Sequence, residues 1–193
     1  MAITALDQRT ALVLIDLQKG IAGAQTVPPA EGVVANAARL VKAFHAAGLP
    51  VVAVNVSFAS DFGDALKPRN ERKSAASRSP GWDELMPELE LQPTDIYVTK
   101  HNWSAFYGTD LDLQLRRRGI TNIVLAGIAT SIGVEGTARG AHERAYNVTF
   151  ASDAMSDRSM AAHEHSLQVI FPMIGETGTT AEIIAMLKGN KEG

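Results

Sequence analysis

The chain has 193 residues, a formal net charge of −3 and no cysteine. The missing cysteine excludes disulfides, zinc–thiolate centres, iron–sulfur clusters and a thiol nucleophile. Eighteen Lys+Arg against 21 Asp+Glu, with no basic run, speak against nucleic acid or an anionic membrane as partner. With 46% hydrophobic residues, residues 1–193 are expected to form one domain with its own core. The opening MAITALDQRT lacks the basic start and apolar centre of a secretory signal. No apolar run approaches the roughly 20 residues of a membrane span, so a cytoplasmic location is expected.

Short β-branched apolar runs alternate with longer amphipathic ones. Residues 11–16 (ALVLID) read as a buried strand. Val33, Val34, Ala37, Leu40, Val41 and Phe44 carry helical spacing over residues 31–47, stopped by Gly48. Strands follow at 50–56 (PVVAVNV) and 95–99 (DIYVT), then a helix at 111–118 closed by Gly119. Residues 122–128 (NIVLAGI) are a fourth strand, 130–145 a helix, and 147–151 (NVTFA) a fifth strand. Helices are predicted at 159–170 and 180–187, with a short strand near 174–177.

Continuous apolar strands separated by helices predict an α/β fold. The expected form is a three-layer α/β/α sandwich around a doubly wound, mostly parallel sheet. Ligands in such sheets bind beyond the carboxyl ends of the strands. The informative positions are therefore Asp16, Lys100 and the turn after Gly127. Residues 57–81 lack periodicity and carry Arg69, Arg72, Lys73 and Arg78. That stretch is either a solvated loop or a cover for substrate.

Several motifs are absent. There is no G-x-G-x-x-G after the first strand, no P-loop and no G-x-S-x-G elbow. His163 and His165 lie two apart on a helix, and His45, His101 and His142 have no ligand spacing, so no metal and no cofactor are expected. Asp16 at the mouth of the sheet is either a turn residue or a desolvated acid–base group. Lys100 is either a lysine reaching for water or the cation that pairs with Asp16. The segment GIATSIGVE (127–135) runs from strand end into helix, where free N–H groups suit an oxyanion or an anionic substrate.

Three segments in this order resemble the isochorismatase-like hydrolase superfamily, also called the cysteine hydrolase family. They are ALVLIDLQKG (11–20), the stretch 81–157 containing TKHNWSAFYGTDLDLQLRRRGITNIVLAGIATSIGVEGTARGAH, and GETGTTAEIIAML (175–187). The resemblance implies six parallel strands flanked by helices. It makes Asp16 and Lys100 two members of an Asp–Lys–Cys triad, places a non-proline cis bond at Ile128–Ala129, and makes the N–H groups of Ala129 and Gly133 the oxyanion donors. The third triad position is Gly133, so no covalent thioester can form on this chain. Isochorismatases proper also carry glycine there and cleave a vinyl ether. Asp16 would then be the general acid, Lys100 would orient it or bind substrate, and Gly133 would leave room where sulfur sits in relatives.

The fit is incomplete, because ATS at 129–131 looks more like the amidase side of the family. The metal-site histidines of nicotinamidases are missing, with Asn55 and Ser57 in that region. Trp82, Trp103, Phe106 and Phe58 are either pocket aromatics or core; Trp103 and Phe106 are carried as substrate-binding candidates, although packing is favoured for Phe106. An amidohydrolase using activated water and an inactive small-molecule-binding member are the alternatives. The resemblance also implies a small-molecule substrate and a homo-oligomer, dimer or tetramer.

Overall fold

A computed structural model describes residues 1–67, 69 and 79–189. Six strands form one all-parallel sheet: β1 (Thr10–Ile15), β2 (Val51–Val56), β3 (Ile96–Lys100), β4 (Asn122–Ile128), β5 (Asn147–Ser156) and β6 (Glu176–Gly178), in the order β3-β2-β1-β4-β5-β6. The helices are α1 (Lys19–Ala22), α2 (Ala30–Ala47), α3 (Leu111–Arg117), α4 (Glu135–His142), α5 (Met160–His165), α6 (Phe171–Ile174) and α7 (Thr180–Gly189).

Strand alternation splits the core between the two faces of the sheet. Leu12 and Leu14 of β1 pack with Val33, Leu40 and Phe44 of α2 and Ile183 and Leu187 of α7. Val13 and Ile15 point the other way, into a cluster with Leu111 and Leu115 of α3, Ala138 of α4 and Phe171 of α6. Both faces are covered, so β1 is buried at all six positions and apolar at the five from Ala11 to Ile15. The strand order reverses between β1 and β4, which opens a crevice at their carboxyl ends. Asp16 follows β1 there, and the 129–134 turn follows β4.

The helix α1 was not predicted, and three predicted elements differ in extent from the sequence reading. The fifth strand continues to Ser156, and its pairing with β4 jumps from Leu125↔Phe150 to Gly127↔Met155. The intervening Ser152–Asp153 pair resembles a turn, but Asp153 Oδ1 instead accepts the Thr180 N–H at 2.7 Å and so caps α7. The predicted 130–145 helix divides into a wide π turn at Thr130–Val134 and α4, which ends at His142. The predicted 159–170 helix runs on to Ile174 through a second π turn at Ser166–Ile170. That widening precedes Pro172, which has no N–H for a normal helical ladder.

Part of the 57–81 loop is described. Arg69 is exposed, while Arg72, Lys73 and Arg78 lie outside the described residues, as do residues 68, 70, 71 and 74–77 of the stretch read as a substrate cover. Its distal end is tied to the segment after Asp16: the Lys19 N–H donates to Glu84 O at 2.8 Å, and the Met86 N–H donates to Leu17 O at 2.9 Å. Among the described residues no helix is long and apolar enough to cross a membrane.

Candidate active site

Asp16 sits one residue beyond β1 with a left-handed backbone, φ 53°. Aspartate tolerates that region better than most residues. The twist turns its carboxyl into the crevice while its N–H still donates to Val54 O at 2.9 Å. Lys100 closes β3, whose alternating pattern sends Ile96, Val98 and Lys100 inward. Lys100 Nζ donates to Asp16 Oδ2 at 2.8 Å and to the Asn102 main-chain oxygen at 3.0 Å. A third ammonium proton remains for a ligand oxygen. Both side chains are buried, at 5% exposure for Asp16 and 2% for Lys100. Asp16 Oδ1 is also buried and has no hydrogen-bond partner among the described residues. Burial pushes the Asp16 carboxyl up to about 6, against the opposing pull of the Lys100 ammonium.

This shift has a sign that can be measured. A carboxyl whose folded pKa exceeds its unfolded value holds its proton better in the native state. Its contribution to stability is therefore full below the ordinary carboxyl value of 3.8 and is lost as pH rises through about 6. We expect the difference in urea midpoint between wild type and Asp16→Asn to shift across pH 4–6. A pH-independent difference would contradict the raised value.

The third element is the turn after β4. Gly127 has φ +130°, and a Cβ there would lie 2.1 Å from Ile15 O, so only glycine permits this strand approach. The Ile128–Ala129 bond is cis. In the π turn, a Cβ placed on Gly133 would lie 3.2 Å from Asp16 Oδ2 and 3.8 Å from Lys100 Nζ. Asp16, Lys100 and Gly133 thus converge from three separate strand ends. The same Cβ would lie 2.9 Å from Ile15 Cγ2. The Ile15 methyl is thus the tightest neighbour of that Cβ position, and a side chain on Gly133 would require it to shift.

Buried polar groups hold the turn. Thr130 Oγ1 lies 3.1 Å from the Ser156 main-chain oxygen and 2.8 Å from His163 Nδ1. The Ser131 N–H donates to Asp157 Oδ2 at 2.7 Å. The Thr137 hydroxyl donates to Gly133 O at 2.7 Å and accepts the Ala105 N–H at 3.0 Å, linking the turn to the segment after Lys100. Gln18 is fully buried; its Oε1 accepts the Val56 N–H at 2.9 Å and its Nε2 donates to Val56 O at 3.1 Å, bracing the ends of β1 and β2. From sequence, His163 is weighed only as a metal ligand and Thr130 only within ATS at 129–131, while Asp157, Thr137 and Gln18 are not singled out. A polar residue adjoining a site residue was the available signal for Thr130 and Gln18.

The aromatic candidates separate. Phe106 is buried, stacked on Tyr146 with ring centroids 5.8 Å apart and the Arg144 guanidinium 5.0 Å away, and it also borders a surface cleft with Tyr107, Gly136 and Gly140. Trp103 is exposed, its Cβ 3.4 Å from where a Cβ on Gly136 would stand. Phe58 lies 6.2 Å from Trp82 and 6.1 Å from His101 between ring centroids. His101 Nδ1–H donates to Ser57 O at 2.6 Å. Among the described residues, no three His, Asp or Glu side chains gather as a metal-binding group.

Residues 10–182 match the family model described as the isochorismatase domain. The isochorismatase family protein YwoC of Bacillus subtilis is 48% identical over 184 residues, covering 94% of this chain and 95% of the relative. The ureidoacrylate amidohydrolase RutB of Variovorax paradoxus is 32% identical over 187 residues, covering 84% of this chain and 73% of that protein. The structure of an isochorismatase family protein from Burkholderia thailandensis superimposes with a TM-score of 0.93 at 48% identity, over 97% of this chain and 100% of the other. Sheet order, the converging strand ends and these matches place the chain in the isochorismatase family, as a hydrolase of that family.

Proposed function

We propose that the protein hydrolyses a vinyl ether of the isochorismate type without a covalent intermediate. Asp16 is the general acid, and Gly133 stands where cysteine-bearing members carry their nucleophile. The observation that carries this reading is the Asp16 carboxyl. It is buried, held protonated up to about pH 6, and has one oxygen with no partner among the described residues. A carboxylic acid kept neutral by burial is a proton donor in search of an acceptor.

The steps balance as follows. Asp16 transfers its proton to the terminal carbon of the enol ether, and the C=C electron pair forms the new C–H bond. The ether oxygen then shares the positive charge as an oxocarbenium ion. The Asp16 carboxylate faces that cation and takes a proton from the water that attacks it. The resulting hemiketal collapses, the C–O bond to the alcohol breaks, and a ketone (pyruvate, for isochorismate) leaves with the alcohol. Asp16 ends the cycle protonated. In this reading the third donor of Lys100 and the N–H groups of Ala129 and Gly133 bind substrate carboxylate oxygens.

A second reading is amide hydrolysis by an activated water, supported by the 32% identity to a ureidoacrylate amidohydrolase. There Asp16 must act as a base and so must be ionised. The two readings predict opposite pH limbs. We expect the folded protein to release pyruvate from isochorismate, with kcat/KM falling as pH rises above about 6. Turnover of amides that rises through the same pH would replace this reading with the second. No turnover of either class would leave a small-molecule-binding protein.

A further inference from the structure

We propose that His163 is a positioning residue for the substrate-binding turn, acting through the hydroxyl of Thr130. Thr130 follows Ala129 directly and opens the π turn that ends beside Gly133. Its Oγ1 is fully buried and has two partners, the Ser156 main-chain oxygen on β5 at 3.1 Å and His163 Nδ1 on α5 at 2.8 Å. A hydroxyl has one proton, and a carbonyl oxygen can only accept. With both bonds made, the Thr130 proton goes to Ser156 O, and His163 Nδ1–H donates to Thr130. That arrangement fixes the His163 tautomer.

His163 is itself buried at 5% exposure, and burial holds its pKa below the ordinary imidazole value despite the opposing charges of Asp157 and Glu164. It therefore stays neutral at neutral pH. A buried imidazole loses its hydration, and a leucine would fill a helix face at no such loss. The Thr130 bond offsets that loss and gives the turn a directional anchor which apolar packing lacks. The remaining turn anchors act further along, Asp157 on the Ser131 N–H and Thr137 on Gly133 O. Among the described residues, the Thr130 hydroxyl, held by Ser156 O and His163, anchors the residue that follows Ala129, and His163 is its side-chain partner. The steps above make no use of His163, and it touches no reacting atom.

The kinetic part of the test rests on the proposed vinyl-ether reading; the spectroscopic part does not. Thr130→Val keeps the side-chain shape and removes the hydroxyl. It is expected to lower kcat about 10- to 100-fold through misplacement of the turn, with KM changed by less than about threefold. Thr130→Ser should restore most of the rate. His163→Leu should match Thr130→Val, and His163→Asn, whose amide can donate from the Nδ1 position, should recover part of it. The double variant Thr130→Val/His163→Leu should lose no more than the worse single variant, because the two side chains act as a unit.

In ¹⁵N–¹H spectra of the full chain, the Ala129 and Gly133 amide signals should move in Thr130→Val and His163→Leu and return in Thr130→Ser. Unmoved amide signals would overturn the proposal, as would rate losses that merely follow thermal stability and are equal for Val and Ser. If wild type turns over no vinyl ether, the amide signals decide the question alone. If His163→Leu does not fold, Thr130→Val decides it.

Discussion

Asp16→Asn is expected to lower the proposed vinyl-ether cleavage by about 10²- to 10⁴-fold, the range lost when a positioned proton donor is removed. Asparagine keeps the size of the side chain, and its carbonyl oxygen can still accept from Lys100 Nζ, now 2.8 Å from Asp16 Oδ2. What it cannot do is deliver a proton and then face a cation as a carboxylate. KM is expected to change little, and the residual rate should lose the pH limb near 6. Asp16→Ala is the less informative change. It would leave the Lys100 ammonium, 2% exposed, without its counter-charge, and stranding a buried charge costs about 3–5 kcal/mol. Steady-state kinetics of Asp16→Asn beside its melting temperature is the deciding measurement. A folded variant with an undiminished rate would remove Asp16 from the role of acid.

Gly133→Cys does not by itself convert the protein into a thiol amidase. The new Cβ would lie 2.9 Å from Ile15 Cγ2, which is fully packed within β1, so either that strand or the turn must give. Overpacking of this kind costs about 1–3 kcal/mol. Ile15→Leu moves the branch from Cβ to Cγ, removing the Cγ2 methyl at nearly constant volume. In Ile15→Leu/Gly133→Cys the cysteine Cβ fits 3.2 Å from Asp16 Oδ2 and 3.8 Å from Lys100 Nζ. The adjacent ammonium should depress the thiol pKa and raise its reactivity. We expect measurable amidase activity in the double variant that is abolished by iodoacetamide, and little or none in the single variant. Activity in Gly133→Cys alone would mean Ile15 is no obstacle. A double variant that folds and has an unreactive thiol would mean the remaining groups do not form a nucleophile site.

The residues of the site differ in how far they could be read from sequence. Asp16 and Lys100 were legible because each is a charge ending an apolar or alternating strand, and strand ends in a parallel sheet share one edge. For Phe106 the sequence favours packing without deciding it, since an aromatic ring has the same sequence signature in a pocket wall as in the stack with Tyr146. The fifth strand is predicted to stop at 151, before Ser152 and Asp153, because polar residues usually end a strand. These two residues persist because Asp153 is needed as the cap of α7. The pairing of Thr130 with His163 spans 33 positions and depends on how a π turn rotates one helix against another.

By itself the sequence determined the α/β class, the strand and helix order and the absence of any thiol chemistry. Each of these follows from composition or from periodicities only a few residues long. The tertiary structure alone decided that the three strand ends meet, that an Ile15 methyl crowds the Cβ position of Gly133, and that one Asp16 oxygen is buried without a partner among the described residues. Those facts depend on sheet order, register and side-chain rotation, which bring together residues that no local pattern relates. The raised Asp16 pKa belongs with them, because burial sets it and the neighbouring Lys100 only offsets it in part.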